Sequence, residues 1–140
     1  METLRYTYKL RPGAQALARL EDEWHLSRWV WNECVNQQRT GKNPTAKSLD
    51  KMLTAARAAA GWLRAGSSVV QQQTIRDYAS ALRVSFAVRG RGRPKPKSRK
   101  RDLPSMNYTR NGFRLHHQKE ANPVLALAGG VSIPVVSSRP

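Results

Sequence analysis

Acidic residues are scarce in this chain. Nine Asp and Glu stand against 25 Lys and Arg, a formal net charge of +16 over 140 residues with three His. The nine are Glu2, Glu21, Asp22, Glu23, Glu33, Asp50, Asp77, Asp102 and Glu120. Metal-dependent phosphodiester cleavage needs carboxylates that converge on one or two cations. Glu21, Asp22 and Glu23 are consecutive and point to different faces of a helix. No other pair falls at the ends of neighbouring strands, so the nine read as surface carboxylates on amphipathic helices. Cysteine is scarcer still. Cys34 stands alone, which excludes an internal disulfide and a Cys-x-x-Cys zinc site and fits a reducing cytoplasm. It has no catalytic base near it in the sequence.

Long apolar runs are also missing. The longest apolar region, Val124 to Val136, is broken by Gly129-Gly130 and Pro134. It falls short of the ~20 residues that a bilayer span requires. The N-terminus, Met-Glu-Thr-Leu-Arg, lacks a charged-then-apolar secretory layout. His25 is isolated, and His116-His117 point to opposite sides of a strand. No Gly-rich phosphate loop follows an apolar strand. These absences lead to an expectation of a soluble, cytoplasmic protein that binds something but is no enzyme, holds no metal or cofactor and avoids membranes.

What is abundant is positive charge, concentrated in Arg89-Gly-Arg-Gly-Arg-Pro-Lys-Pro-Lys-Ser-Arg-Lys-Arg101. Eight of these thirteen residues are cationic, namely Arg89, Arg91, Arg93, Lys95, Lys97, Arg99, Lys100 and Arg101. Gly90, Gly92, Pro94 and Pro96 forbid a regular helix or central strand there. Charges on such a segment stay solvated and open to a polyanion, and runs of this kind are interaction arms for nucleic acid. A solvated linker is the plain alternative. The remaining sequence is basic too, which favours nucleic acid over an anionic membrane surface as partner.

Around the arm the pattern changes twice. Leu4, Tyr6, Tyr8 and Leu10 alternate with Arg5, Thr7 and Lys9, which predicts a half-buried strand ended by Arg11-Pro12-Gly13. A helix is predicted from about Ala14 to Gln38, with Leu17, Leu20, Trp24, Trp31 and Val35 on its apolar stripe and Trp29 off it. Trp24 and Trp31 read as core, and Trp29 stays free for another contact. Gly41 to Pro44 breaks the chain, and Thr45 caps a second helix with Leu49, Met52, Leu53 and Ala56 on one face. Trp62 and Leu63 pack under the turn after Gly61. Ser67 or Ser68 caps a third helix to about Val88, striped by Ile75, Tyr78, Ala79, Leu82 and Phe86. Gln71-Gln72-Gln73 are read first as good helix formers and second as base contacts. Beyond the arm, Ser105–Thr109 and Phe113–His116 read as a hairpin about Asn111-Gly112. Val124–Ala128 and Val131–Val136 read as another, with Pro134 marking an edge strand.

The expected organisation is therefore a first strand in 1–11, a helical insert in 12–88, a basic arm in 89–104 and returning strands in 105–140. The expected fold class is α+β, a small β-barrel-like module with a three-helix insertion after its first strand.

Several stretches resemble one family. Tyr6-Thr-Tyr-Lys-Leu-Arg-Pro12 resembles the first strand of the TnpB (OrfB) proteins of bacterial insertion sequences. Arg28-Trp-Val-Trp-Asn-Glu33 resembles their arginine-aromatic-valine-aromatic-asparagine signature. Gln72-Gln-Thr-Ile-Arg-Asp77, with Ala81 and Phe86, resembles their third helix, and Gly92-Arg-Pro-Lys-Pro-Lys97 the Gly-x-Pro-x-x-Lys segment that follows it. Tyr108-Thr109, Gly112 to Leu115 and Leu127 to Pro134 resemble the later strands. The matches run in order through nearly the whole chain.

The resemblance implies a function. Full-length relatives are RNA-guided DNA endonucleases related to type V CRISPR effectors, and their N-terminal half is a wedge barrel interrupted by a helical recognition insert. That half grips the guide RNA, the guide–target duplex and a short DNA motif beside the target. The cutting carboxylates and a zinc finger belong to a later nuclease domain, and this sequence stops at Arg139-Pro140, where such a domain would begin. The expectation is a transposon-associated recognition half without nuclease activity, with a second chain left open as the source of the nuclease domain. Its insert would meet the duplex backbone through Arg57, Arg64, Arg76 and Arg83. Its binding face would combine Lys9, Arg11, the arm from Arg89 to Arg101, Arg110 and Arg114. Tyr108 would stack on a base or pack in the core.

Two alternatives stay open. One is a free-standing helix-turn-helix regulator of the mobile element, with Ser68 to Gln73 in a major groove, although the Gly61–Gly66 turn is long for that motif. The other is a truncated remnant without function.

Overall fold

The computed structural model describes residues 9–40, 44–99, 105–108, 112–116, 123–128 and 130–136. Within them the chain runs β1 (Lys9–Leu10), α1 (Ala14–Arg39), α2 (Ala46–Ala59), α3 (Gly61–Arg64), α4 (Ser68–Ala87), β2 (Phe113–His116), β3 (Val124–Leu127) and β4 (Val131–Val136).

The helices begin where their capping chemistry allows. At the head of α2, Thr45 accepts from the Ser48 N–H at 3.1 Å while the Ser48 hydroxyl oxygen accepts from the Thr45 N–H at 2.9 Å. This reciprocal pair satisfies two N–H groups that a helix start leaves unpaired. At the head of α4 the cap is a single bond, the Ser67 hydroxyl accepting from the Val70 N–H at 3.4 Å. Between α2 and α4, Ala60 is extended, and the single turn of α3 follows. The insert thus has four helical segments where three are predicted.

Trp24, Ser27, Val30, Cys34 and Val35 form the buried stripe of α1. Val30, Cys34 and Val35 meet Leu49 and Leu53 of α2, Leu63 of α3 and Ile75, Tyr78 and Leu82 of α4 in one apolar core. A polar pair crosses the α1–α4 contact, where the buried Ser27 and Thr74 hydroxyls lie 2.7 Å apart. Leu17, predicted on the α1 stripe, is exposed, and so is Phe86 on α4. Trp29 is not left free, because its ring meets Trp62 edge-on at 5.2 Å.

The four strands form one antiparallel sheet in the order β1-β4-β3-β2. The β3–β4 hairpin is the predicted one, with Leu127 opposite Val131 and Gly130 at φ 79° in the connection, a backbone region that favours glycine. The other hairpin differs from expectation. β2 pairs with β3, Phe113 facing Leu127, whereas residues 105–108 form no strand. Pro134 lies in an interior strand, not at an edge. It is tolerated there because Arg11 is its neighbour just past the end of β1: the Arg11 N–H donates to the Pro134 carbonyl at 3.1 Å, and only the return bond is missing. The predicted strand from Leu4 lies outside the described residues except for its last two members.

The expected wedge-like barrel is not what forms. The described chain is mostly helical, and its sheet is small and open, with β1 and β2 as separate edges. Four strands of two to six residues cannot curl around an interior of their own. Their apolar face is instead covered by a helix layer. Val131, Ile133 and Val135 are buried in β4, and α1 reaches the hairpin through Arg19, which donates to the Gly130 carbonyl at 3.0 Å. At the β2 edge the same face spills into solvent as Phe113 and Leu115.

Candidate nucleic-acid interface

Sterics fix the arm before any partner is considered. Pro94 and Pro96 lock their own φ angles, and each pushes the residue before it, Arg93 and Lys95, out of the helical region. Covalent geometry therefore biases residues 93–96 towards an extended path. In an extended segment the N–H and C=O of one residue point the same way, and α1 binds them on that side. The Trp31 Nε1–H donates to the Lys95 carbonyl at 2.8 Å. The Asn32 Nδ2–H donates to the Lys97 carbonyl at 3.0 Å, and the Lys97 N–H donates to Asn32 Oδ1 at 2.7 Å. The Asn32 side chain thus closes a ring with Lys97 as a neighbouring β-strand would.

Aromatic faces on the helices hold two of the cations. Lys97 Nζ sits 4.1 Å from the Trp31 ring centroid and the Arg93 guanidinium 4.4 Å from that of Phe86. Such contacts contribute roughly 0.5–1 kcal/mol each at exposed sites. Trp31 is itself braced edge-on by Tyr78 at 5.4 Å. Arg89, Arg91, Arg93, Lys95 and Arg99 remain exposed and Lys97 is half-buried. The backbone of the arm is docked while its charges face solvent. Lys100 and Arg101 lie outside the described residues. Beside the arm runs a cleft of about 400 Å3, with Trp31, Asp77, Ser80 and Val84 on one wall and Arg91 and Pro94 on the other.

The other predicted residues scatter. Arg76 and Arg83 are exposed on α4, two turns apart and so on one face. Arg57 and Arg64 are engaged internally. Arg57 Nη1 donates to Gln71 Oε1 at 2.7 Å and to the Gly66 carbonyl at 3.2 Å, while Arg64 Nη1 donates to the carbonyls of Arg57 and Ala58. Together they tie the end of α2 to the turn before α4, which gives both a structural job. Gln71 is fully buried, its Nε2–H donating to the Leu63 carbonyl at 2.9 Å. Gln73 is bound to Asp77, so of the three glutamines only Gln72 is exposed.

Lys9 and Arg114 share the polar face of the sheet but stand on its opposite edges, three strand spacings or about 14 Å apart. Arg11 is exposed beside Lys9, and Arg110 lies outside the described residues. The sheet meets α1 near Arg19 and the arm meets it at Trp31 and Asn32. Along a helix that separation is about 20 Å. The expected single binding face is therefore two patches, at different ends of α1.

Tyr108 is half-buried, and its hydroxyl is enclosed with no hydrogen-bond partner among the described residues. Burial pushes its pKa up to about 12. Of its two expected roles, this enclosed setting favours packing. Cys34 is fully enclosed in the core, and burial pushes its pKa up to about 12, so it stays a thiol. Among the described residues no three of His, Cys, Asp and Glu gather closely enough to hold a metal ion, and no helix is long and apolar enough to cross a membrane.

Trp31 and Asn32 are what the sequence patterns missed as arm-binding residues. Trp31 falls on the apolar stripe and so looks like core. Asn32 carried a usable signal, since asparagine in a helix interior costs propensity and wants a partner for its amide. No protein-family model matches the chain, and no curated protein matches it.

Proposed function

We propose that this chain is a nucleic-acid-binding module without catalytic activity of its own, working in the cytoplasm as the RNA- and DNA-recognition part of a TnpB-like mobile-element protein. The arm carries the proposal. Five exposed cations and a sixth half-buried one, from Arg89 to Arg99, stand on a backbone held to α1, in a chain of net charge +16. A polyanion with closely spaced charges is the partner that such a row fits, through release of condensed counterions. Arg76 and Arg83 on α4 add to the same positive field. The TnpB-like part of the proposal rests on the sequence resemblance, above all on Arg28 to Glu33 and Gly92 to Lys97, which are the two segments that meet in the arm–helix contact.

The helix-turn-helix alternative gains little from the geometry. The α4 N-terminus, which would enter a major groove, has a carboxylate placed on it: Glu23 Oε1 accepts from the Ser67 N–H at 2.7 Å. Gln71, in the same turn, points into the core.

The test is quantitative binding to RNA and to duplex DNA over a salt series. Replacing Arg91, Arg93 and Lys95 together with glutamine should weaken binding to every nucleic acid and reduce the logarithmic salt slope by about 2 to 3. An unchanged slope would show that the arm is only a linker. Sequencing the RNA that copurifies with the protein tests the finer proposal, which expects one dominant structured species. Specific duplex binding with no RNA enrichment would favour the regulator instead.

A further inference from the structure

We propose that the arm is a preformed track for a single unpaired nucleic-acid strand, with Asn32 as the positioning residue that sets its register. The inference rests on the function proposed above and names the form of its ligand. From Arg91 to Lys97, ahead of the turn at Arg99, the cations occupy every second position, interleaved with Gly92, Pro94 and Pro96. In extended backbone, residues two apart are separated by about 6 to 7 Å. That is close to the distance between neighbouring phosphates along one strand. A disordered polycation would have to find this spacing at the moment of binding, at an entropic cost for each residue ordered. Here the order exists already, because Trp31 and Asn32 hold Lys95 and Lys97 by three hydrogen bonds to their backbone.

The adjoining cleft argues for an unpaired strand. It lies between the arm and α4, its walls mix Trp31, Val84 and Pro94 with Ser80, Asp77 and Arg91, and its volume of about 400 Å3 can admit a nucleobase. A strand whose phosphates follow the cations can turn an unpaired base into that cleft, whereas a base committed to a duplex cannot enter.

The experiment compares the full chain with Asn32→Ala, using fluorescence anisotropy on a labelled oligouridylate, an oligothymidylate and a duplex of equal length, each over a salt series. The wild type should bind at least one single strand more tightly than the duplex. Asn32→Ala should weaken single-strand binding on the order of tenfold, the cost of fixing about one backbone residue anew, while the salt slope stays the same because no cation is lost. Thermal unfolding of the variant provides the folding control. Should Asn32→Ala unfold, Trp31→Phe takes its place, since it keeps an aromatic ring beside Tyr78 and under Lys97 while removing the N–H to Lys95. Equal affinity of wild type and variant, a slope that falls with affinity, or a preference for duplex would each overturn the track. If the wild type bound none of the three probes, the proposed function itself would fall with it.

Discussion

Glu23 illustrates how much a single residue can be asked to do. Its carboxylate caps the Ser67 N–H and faces Arg57, two influences that lower its pKa, yet burial outweighs both and the net shift is upward, with Asp22 adding to it. A carboxyl whose folded pKa is raised holds its proton more tightly in the native state. Its contribution to stability is complete below the unfolded value of about 4.3 and is lost as pH climbs through the folded value. Glu23→Gln keeps an oxygen for Ser67 and removes the cost of burying charge. The variant should therefore melt at or above the wild-type temperature at pH 7, with the difference shrinking once pH falls below about 4. Thermal melts at both pH values check it, and a variant that is clearly less stable at pH 7 than at pH 4, relative to wild type, would mean that the hydrogen bond and Arg57 dominate.

At the scale of elements, the turn from α2 to α4 holds the most crowded of the described glycines. A Cβ built on Gly66 would collide with the Leu26 side chain and lie 2.7 Å from Gln71 Nε2 and 2.9 Å from Glu23 Oε1. Gly66→Ala should then destabilise by about 1–3 kcal/mol through overpacking, measurable by denaturant unfolding, whereas Gly13→Ala, with nothing within 4 Å of its Cβ, should lack that steric cost.

These elements also show what sequence can and cannot convey. The α1 and α4 spans, the Thr45 and Ser67 caps and the β3–β4 hairpin were legible because each depends on local chemistry: period, cap residue, turn glycine. The pairing of β2 was not, since Phe113–His116 had two candidate neighbours and only tertiary packing selects between them. The barrel was misjudged because alternation in a strand says that one face is covered and not by what. Here α1 covers it. The site divided in the same way. The charge of the arm is plain in the sequence, but the internal partners of Arg57 are not, because the Gly66 carbonyl and Gln71 lie nine and fourteen residues away across a turn. Nothing in the sequence near Lys97 announces Asn32, sixty-five residues earlier.

For the whole molecule the dominant quantity is the net charge of +16. Like charges in a small fold repel one another, and that repulsion destabilises the compact state. Added salt shortens the screening length from about 10 Å at 0.1 M to about 3 Å at 1 M. The protein alone should therefore melt at a higher temperature as salt is raised. Binding to a polyanion follows the opposite sign, because counterion release loses its driving force in high salt. A bound oligonucleotide stabilises the native state by mass action, so it should raise the melting temperature strongly at low salt and barely at high salt. The two melting curves, with and without oligonucleotide, should converge as salt rises, the lower one climbing to meet the upper. If the free protein instead lost stability with salt, attractive pairings would have to outweigh the excess of cations. The arm's charges would then be neutralised within the molecule and not held ready for a ligand.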